Sequence, residues 1–170
     1  MVGLSAWELD RSRRRCPGEL LGTGVRRRGG TAVPIEGNRA VARRVLDDLV
    51  SQGRFEVVDQ IYAQAFEFRD PTAGQTITTH EGIRDLTRDI RTRTPDIAML
   101  IEEEIADGDA VVHRWTPSGH DAGTGRFWTA PGMSIYHLHE GRIVSEYVLF
   151  DRLGLLRQFG MAPTPGQPPT

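Results

Sequence analysis

From residue 38 onward the apolar positions of the chain follow two periods. In "NRAVARRVLDDLVSQGRF", Val41, Val45, Leu46, Leu49 and Val50 recur at helical spacing. Asn38 is a good N-cap and Gly53 a stop, so the stretch predicts a helix. "EVVDQIYAQ" predicts a second, short helix with Val57, Ile61 and Tyr62 inward. "AFEFRDP" alternates and ends at Pro71, which predicts a short strand with Phe66, Phe68 and Asp70 on one face. A third helix, "EGIRDLTRDIRTRT", is capped by Thr79 or His80, carries Ile83, Leu86 and Ile90 as its stripe, and is closed by Pro95. Everything from Asp96 to Phe150 then reads as strands. "DGD" at 107–109 and "EGR" at 140–142 are tight turns, so these strands form antiparallel hairpins. A last amphipathic segment, "RLGLLRQFG", stops at Gly160.

Helices followed by a meander of strands make an α+β fold. A curved antiparallel sheet wrapped around N-terminal helices is a cone with an internal apolar pocket, the natural place for a ligand. The polar side chains on the sheet's apolar faces are then the candidates for chemistry. In the last strand Ile143, Ser145, Tyr147, Leu149 and Asp151 share one face, and Val144, Glu146, Val148 and Phe150 the other. In the strand before it, Met133, Ile135, His137 and His139 alternate with Ser134, Tyr136 and Leu138. The Glu-Gly-Arg turn joins the two strands, which predicts His137 near Tyr147 and Asp151 on one face. A carboxylate against an apolar wall has its pKa raised and can exchange protons near neutral pH. A neighbouring histidine completes an acid/base pair or donates to an oxyanion. Structural roles compete for each residue. Asp151 directly precedes a helix and suits an N-cap. His137 suits a packed or surface histidine, Arg114 an ion pair, Tyr147 a pocket wall, and Phe68 and Trp115 packing.

Composition narrows the classes. The chain has 170 residues, 38% hydrophobic and 26% charged, which suits one globular domain. A net charge of −2 gives no argument for nucleic acid. No apolar run approaches 18 residues, so no membrane span is expected. The single Cys16 can form neither an internal disulfide nor a metal site, and a cytoplasmic setting is expected. His113, His120 and His139 lack metal-ligand spacing, so no metal is expected. Phosphate-binding and nucleophile-elbow motifs are absent from the sequence. Residues 1–36 hold seven arginines against four acids, a surplus of +3, with six glycines and no sustained period. They read as a flexible Arg-rich extension, 37–161 as the cone domain, and 162–170 as a flexible Pro-rich tail.

Three stretches carry a family resemblance: "PDIAMLIEEEIADGDAVVHRWTPSGH", "IYHLHEGRIVSEYVLFDRLGLLRQFG" and the opening helices with "QGRFEVVDQIYAQAFEFRDP". Over about residues 37–161 the chain resembles the SnoaL-like polyketide cyclases, of the nuclear-transport-factor-2-like superfamily. The closing "DRLGLLRQFG" is the most specific piece. The resemblance implies a cofactor-free enzyme that closes a ring by intramolecular aldol condensation on an aromatic or polyketide small molecule. It also implies a homo-oligomer, a homodimer or homotetramer, with no nucleic acid or membrane partner. The family's acid/base aspartate falls on Asp151 and its active-site histidine on His137. Arg114, Tyr147, Phe68, Arg69, Thr116 and Leu46 are then the expected substrate-binding residues. The sequence departs from the family at Arg69, where many relatives carry histidine, and at Tyr147, where the aromatic is usually tryptophan. The loop after "SGH" is also shorter than in relatives. The alternatives are a cofactor-independent hydroxylase or isomerase on the same fold, and a non-enzymatic small-molecule-binding protein. An epoxide hydrolase is disfavoured, because Thr116 stands where a second aspartate is needed.

Overall fold

A computed structural model describes residues 35–162. Apart from residues 35, 36 and 162, the expected extension and tail lie outside the described residues. The first helix, α1 (Ile35–Arg44), starts before Asn38, so Asn38 is not its cap. Instead Asn38 is buried, and its Nδ2 donates to Gly108 O at 3.2 Å and to Asp109 Oδ1 at 3.4 Å. α1 continues as a wider π-helical stretch, Val45–Ser51, in which Ser51 Oγ donates to Leu46 O at 2.7 Å. The expected second helix is shorter than its sequence suggests. It consists of a 3-10 turn, Phe55–Val57, and a single turn α2 (Val58–Ile61). Tyr62 already opens β1 (Tyr62–Asp70), whose aromatics prefer the pleated surface.

The chain continues through β2 (Gln75–Ile77), α3 (His80–Arg93), β3 (Ala98–Asp107) and β4 (Ala110–His120). After these come β5 (Phe127–Thr129), β6 (Gly132–His139), β7 (Arg142–Phe150) and α4 (Arg152–Gln158). Thr79 caps α3, its Oγ1 accepting from Gly82 N at 3.1 Å. The "EGR" turn carries Glu140 at φ 50° and Gly141 at φ 73°, as a two-residue hairpin turn requires. The α+β fold is as expected. The seven-stranded sheet runs β2-β1-β7-β6-β4-β3, with β5 on β4. It is mixed rather than wholly antiparallel, because β1 pairs parallel to β7. No hairpin joins these two strands, so helix and sheet packing, not a turn, sets their relative direction.

Two irregularities decide which side chains face the helices. His137 pairs with Ser145 but Leu138 pairs with Ile143, so Val144 is an extra residue in β7. Ile143 and Glu146 therefore both lie on the buried face, although alternation would separate them. In β3, Ile101 pairs with Trp115 and Glu103 with Arg114, leaving Glu102 extra. Among the described residues no helix is long and apolar enough to cross a membrane.

Candidate active site

The inner face of the sheet is read most simply in cross-strand rows. One row is Ile77, Phe68, Glu146, Tyr136 and Val111, from β2, β1, β7, β6 and β4. The next holds Val148, Ser134, His113 and Glu104. A third holds Phe150, Gly132, Trp115 and Ile101. Glu146 is thus a carboxylate inserted into a row of aromatic and aliphatic side chains.

Between this face and the helices lies a cavity of about 590 Å³. The π-helical stretch lines it with Val45, Leu46, Leu49 and Val50, and α3 adds Ile83, Leu86 and Ile90. The sheet contributes Phe68, Trp115, Trp128, Val148 and Phe150. The buried polar groups of this lining include Thr87 and Thr94 on the helix side and Tyr62, Ser134 and Glu146 at the sheet. Glu146 is 3% exposed, and burial pushes its carboxyl up to about 7. Tyr62 opposes that shift by donating its hydroxyl to Glu146 Oε2 at 2.5 Å. Burial, then the charge of Glu146, raises the Tyr62 phenol well above its usual range. Tyr136 is raised likewise by burial and by Glu146. Ser134 lies close enough to Tyr136 to oppose that rise, yet no well-formed hydrogen bond reaches the Tyr136 hydroxyl.

A second carboxylate sits toward the cavity's rim. Asp70 is buried, and burial alone would raise it. Hydrogen bonds from Thr72 Oγ1 at 2.5 Å and Ala73 N at 3.0 Å, with Arg152 Nη2 at 3.0 Å, outweigh burial and hold it below the usual range. It therefore stays charged and anchors the start of α4. His113 lies behind the cavity wall, with Nε2 2.8 Å from Glu104 Oε2. Burial holds its imidazolium form down despite that partner.

Of the residues expected to form the site, Leu46 and Phe68 line the cavity. The other six lie elsewhere. Asp151 is exposed and caps α4, its Oδ1 accepting from Gly154 N at 2.8 Å. His137 is exposed on the outer face, opposite Ser145. Arg114 pairs on that face with Glu102 and Glu103, and Thr116 Oγ1 donates to Glu102 Oε1 at 2.7 Å. Arg69 pairs with Glu67 at 2.7 Å and flanks a shallow outer depression that Tyr147 also lines. The physical reason is parity. A strand turned by one residue exchanges its faces, and β7 and β6 turn Glu146 and Ser134 inward rather than Tyr147 and His137. The signal that reveals this is in β4. There Val111, His113 and Trp115 face the core and Val112, Arg114 and Thr116 face out, and pairing carries that parity through β6 to β7. The sequence reading missed Glu146, Tyr62, Ser134 and Asp70 as pocket groups.

The architecture recurs in solved structures. TsrD from Streptomyces laurentii matches at a TM-score of 0.68 and 20% identity, over 76% of this chain and 99% of its own. AclR from Streptomyces galilaeus, a candidate hydroxylase, matches at 0.67 and 13%, over 76% and 89%. An epoxide hydrolase of the LEH-like type from M. tuberculosis matches at 0.61 and 18%, over 74% and 94%. At these identities the likeness is one of fold. No curated protein matches the chain in sequence. The pattern of the SnoaL-like polyketide cyclases, however, matches residues 40–159, and the chain belongs to that family.

Proposed function

We propose that the protein is a cofactor-independent cyclase that closes a ring on a polyketide-like substrate by acid/base-catalysed, aldol-type condensation. The observation that carries this reading is Glu146, a carboxyl with a pKa of about 7 inside an apolar cavity and bonded to Tyr62. A base of that pKa suits removal of a proton from a carbon between two carbonyls. The C–H bond breaks, its proton passes to Glu146, and the electron pair spreads over the two carbonyl oxygens. Protonation makes Glu146 a poorer acceptor, which frees the Tyr62 hydroxyl to donate to the enolate oxygen. The enolate carbon then bonds to a ketone or aldehyde carbon of the same molecule. Glu146 returns its proton to the resulting alkoxide. Holding both ends of one flexible molecule in a 590 Å³ cavity supplies the proximity this step needs.

A mass-resolved assay with a panel of polyketide esters, comparing wild type, Glu146→Gln and Asp151→Asn, tests the reading. Cyclised product is expected from wild type and Asp151→Asn and not from Glu146→Gln. Loss with Asp151→Asn alone would return the chemistry to the strand end. A hydroxylase would use the same base but would consume oxygen, and a binding protein would keep its ligand in Glu146→Gln.

Self-association as a homodimer or homotetramer belongs to the same proposal. Leu100, Ile105, Met133 and Leu149 are exposed on the outer sheet face, an apolar surface that suits a second copy. Sedimentation velocity should show an oligomer that Leu149→Glu weakens.

A further inference from the structure

Gly132 opens β6 without the left-handed backbone that would call for glycine. What calls for it is Trp115. A Cβ at Gly132 would lie 2.2, 2.3 and 2.7 Å from Cη2, Cζ3 and Cζ2 of the indole, well inside van der Waals contact. Strand pairing sets Trp115 directly opposite Gly132, and Gly132 opposite Phe150. The indole therefore lies back across the space a side chain would fill. Its Nε1–H donates to Ser134 Oγ at 2.9 Å, one inward position further along β6, which fixes its angle. The Phe150 ring stacks near it, with centroids 6.1 Å apart and planes at 22°. Trp128 meets Phe150 edge-on at 6.4 Å and 78°. These three rings form one side of the cavity, and branched aliphatic side chains from the helices form the other.

We propose that Gly132 sets how far this cavity extends past Trp115 and so the length of ring system it admits. By letting Trp115 lie back over its own backbone, it keeps the indole out of the cavity. Any side chain there would push the indole into the cavity, since Gly132 shares its inward parity with Ser134 and Tyr136. The inference rests on the cavity being the substrate site, as proposed above, but not on Glu146 acting as the base.

The test uses two fluorescent probes, 2-naphthol and 2-anthrol, titrated against the full chain. Wild type should bind both. Gly132→Ala should lose about tenfold in affinity for 2-anthrol, the equivalent of about 1.4 kcal/mol, while 2-naphthol affinity holds. Adding Trp115→Leu to Gly132→Ala removes the clash and should restore 2-anthrol. Trp115→Leu alone, which keeps the glycine, should raise the preference for 2-anthrol over 2-naphthol, so the proposal stays testable if Gly132→Ala fails to fold. Equal loss of both probes in Gly132→Ala, failure of rescue, or an unchanged preference in Trp115→Leu would overturn the assignment of length selection to Gly132. Failure of wild type to bind either probe would overturn the cavity as an aromatic site, whatever Glu146 does in the cyclisation assay.

Discussion

The two faces of the sheet are drawn from alternating residues of the same strands, and both carry carboxylates and aromatics. On the inner face Glu146 lies among Phe68, Tyr136 and Val148, with one phenol as its hydrogen-bond donor. On the outer face Glu102 and Glu103 are matched by Arg114 and remain in contact with water. Only the first arrangement moves a carboxyl into the range where it can both take and return a proton at neutral pH. Residue type is shared between the faces; desolvation is not. The comparison also separates two carboxylates on one cavity. Glu146, with a single neutral donor, is pushed up, while Asp70, with a hydroxyl, a backbone N–H and an arginine, is held down. The raised carboxyl and the anchoring one are told apart by their donors.

The largest effect expected from crossing the faces is on proton transfer. Glu146→Gln should slow hydrogen exchange of an activated 1,3-dicarbonyl probe by about 10³-fold. Asp151→Asn, which retains a capping side chain, should leave that exchange near wild type. Deuterium uptake read by mass spectrometry decides between them.

Stability should also report the buried carboxyl through pH. Its folded pKa, about 7, lies above the reference value of 4.5, so the folded state holds the proton more tightly than the unfolded chain. That contribution is fully present below about 4.5 and is lost as pH rises through about 7, a change of roughly 3 kcal/mol in all. Urea unfolding of wild type and Glu146→Gln should therefore diverge in favour of the glutamine between pH 5 and pH 8. In activity the sign is opposite. The base form is needed, so proton abstraction should rise with pH through about 7.

Tyr62→Phe removes the donor that holds Glu146 down, so the midpoint of that rise should move to higher pH. The lost buried hydrogen bond should cost about 1–3 kcal/mol in urea. The smallest effect belongs to the outer face. His137→Asn should change stability by no more than about 0.5 kcal/mol and leave the exchange rate alone. A larger change in rate would mean that the outer face takes part in the chemistry.

Much of the fold is visible in the residues themselves. The stripe Ile83–Leu86–Ile90, the cap at Thr79, the turns at Gly108 and Glu140–Gly141, and the shared face of Phe66, Phe68 and Asp70 all follow from local spacing and local sterics. The site is less legible because β6 and β7 are apolar on both faces. Ile135 and Leu149 argue for one parity as strongly as Tyr136 and Val148 argue for the other. The extra residue at Val144 adds to the difficulty, since alternation breaks where no glycine or proline marks it. Only the contrast of Trp115 with Arg114, carried across three strands, resolves the parity. Asp151 shows the converse. A carboxylate at the end of a strand serves a helix start as readily as a pocket, and the local hydrogen bond to Gly154 decides it.

The parallel pairing of β1 with β7 has a consequence for how the protein comes into being. The bond between Tyr62 and Glu146 spans 84 positions of chain. During synthesis β1 leaves the ribosome with no neighbour on its β7 side, and the whole meander must emerge before that neighbour exists. Closing so long a segment is a late and slow event compared with forming the hairpins within it. The Tyr62–Glu146 bond is therefore among the last contacts made, so a nascent or partly folded chain holds the meander without holding the proposed acid/base pair.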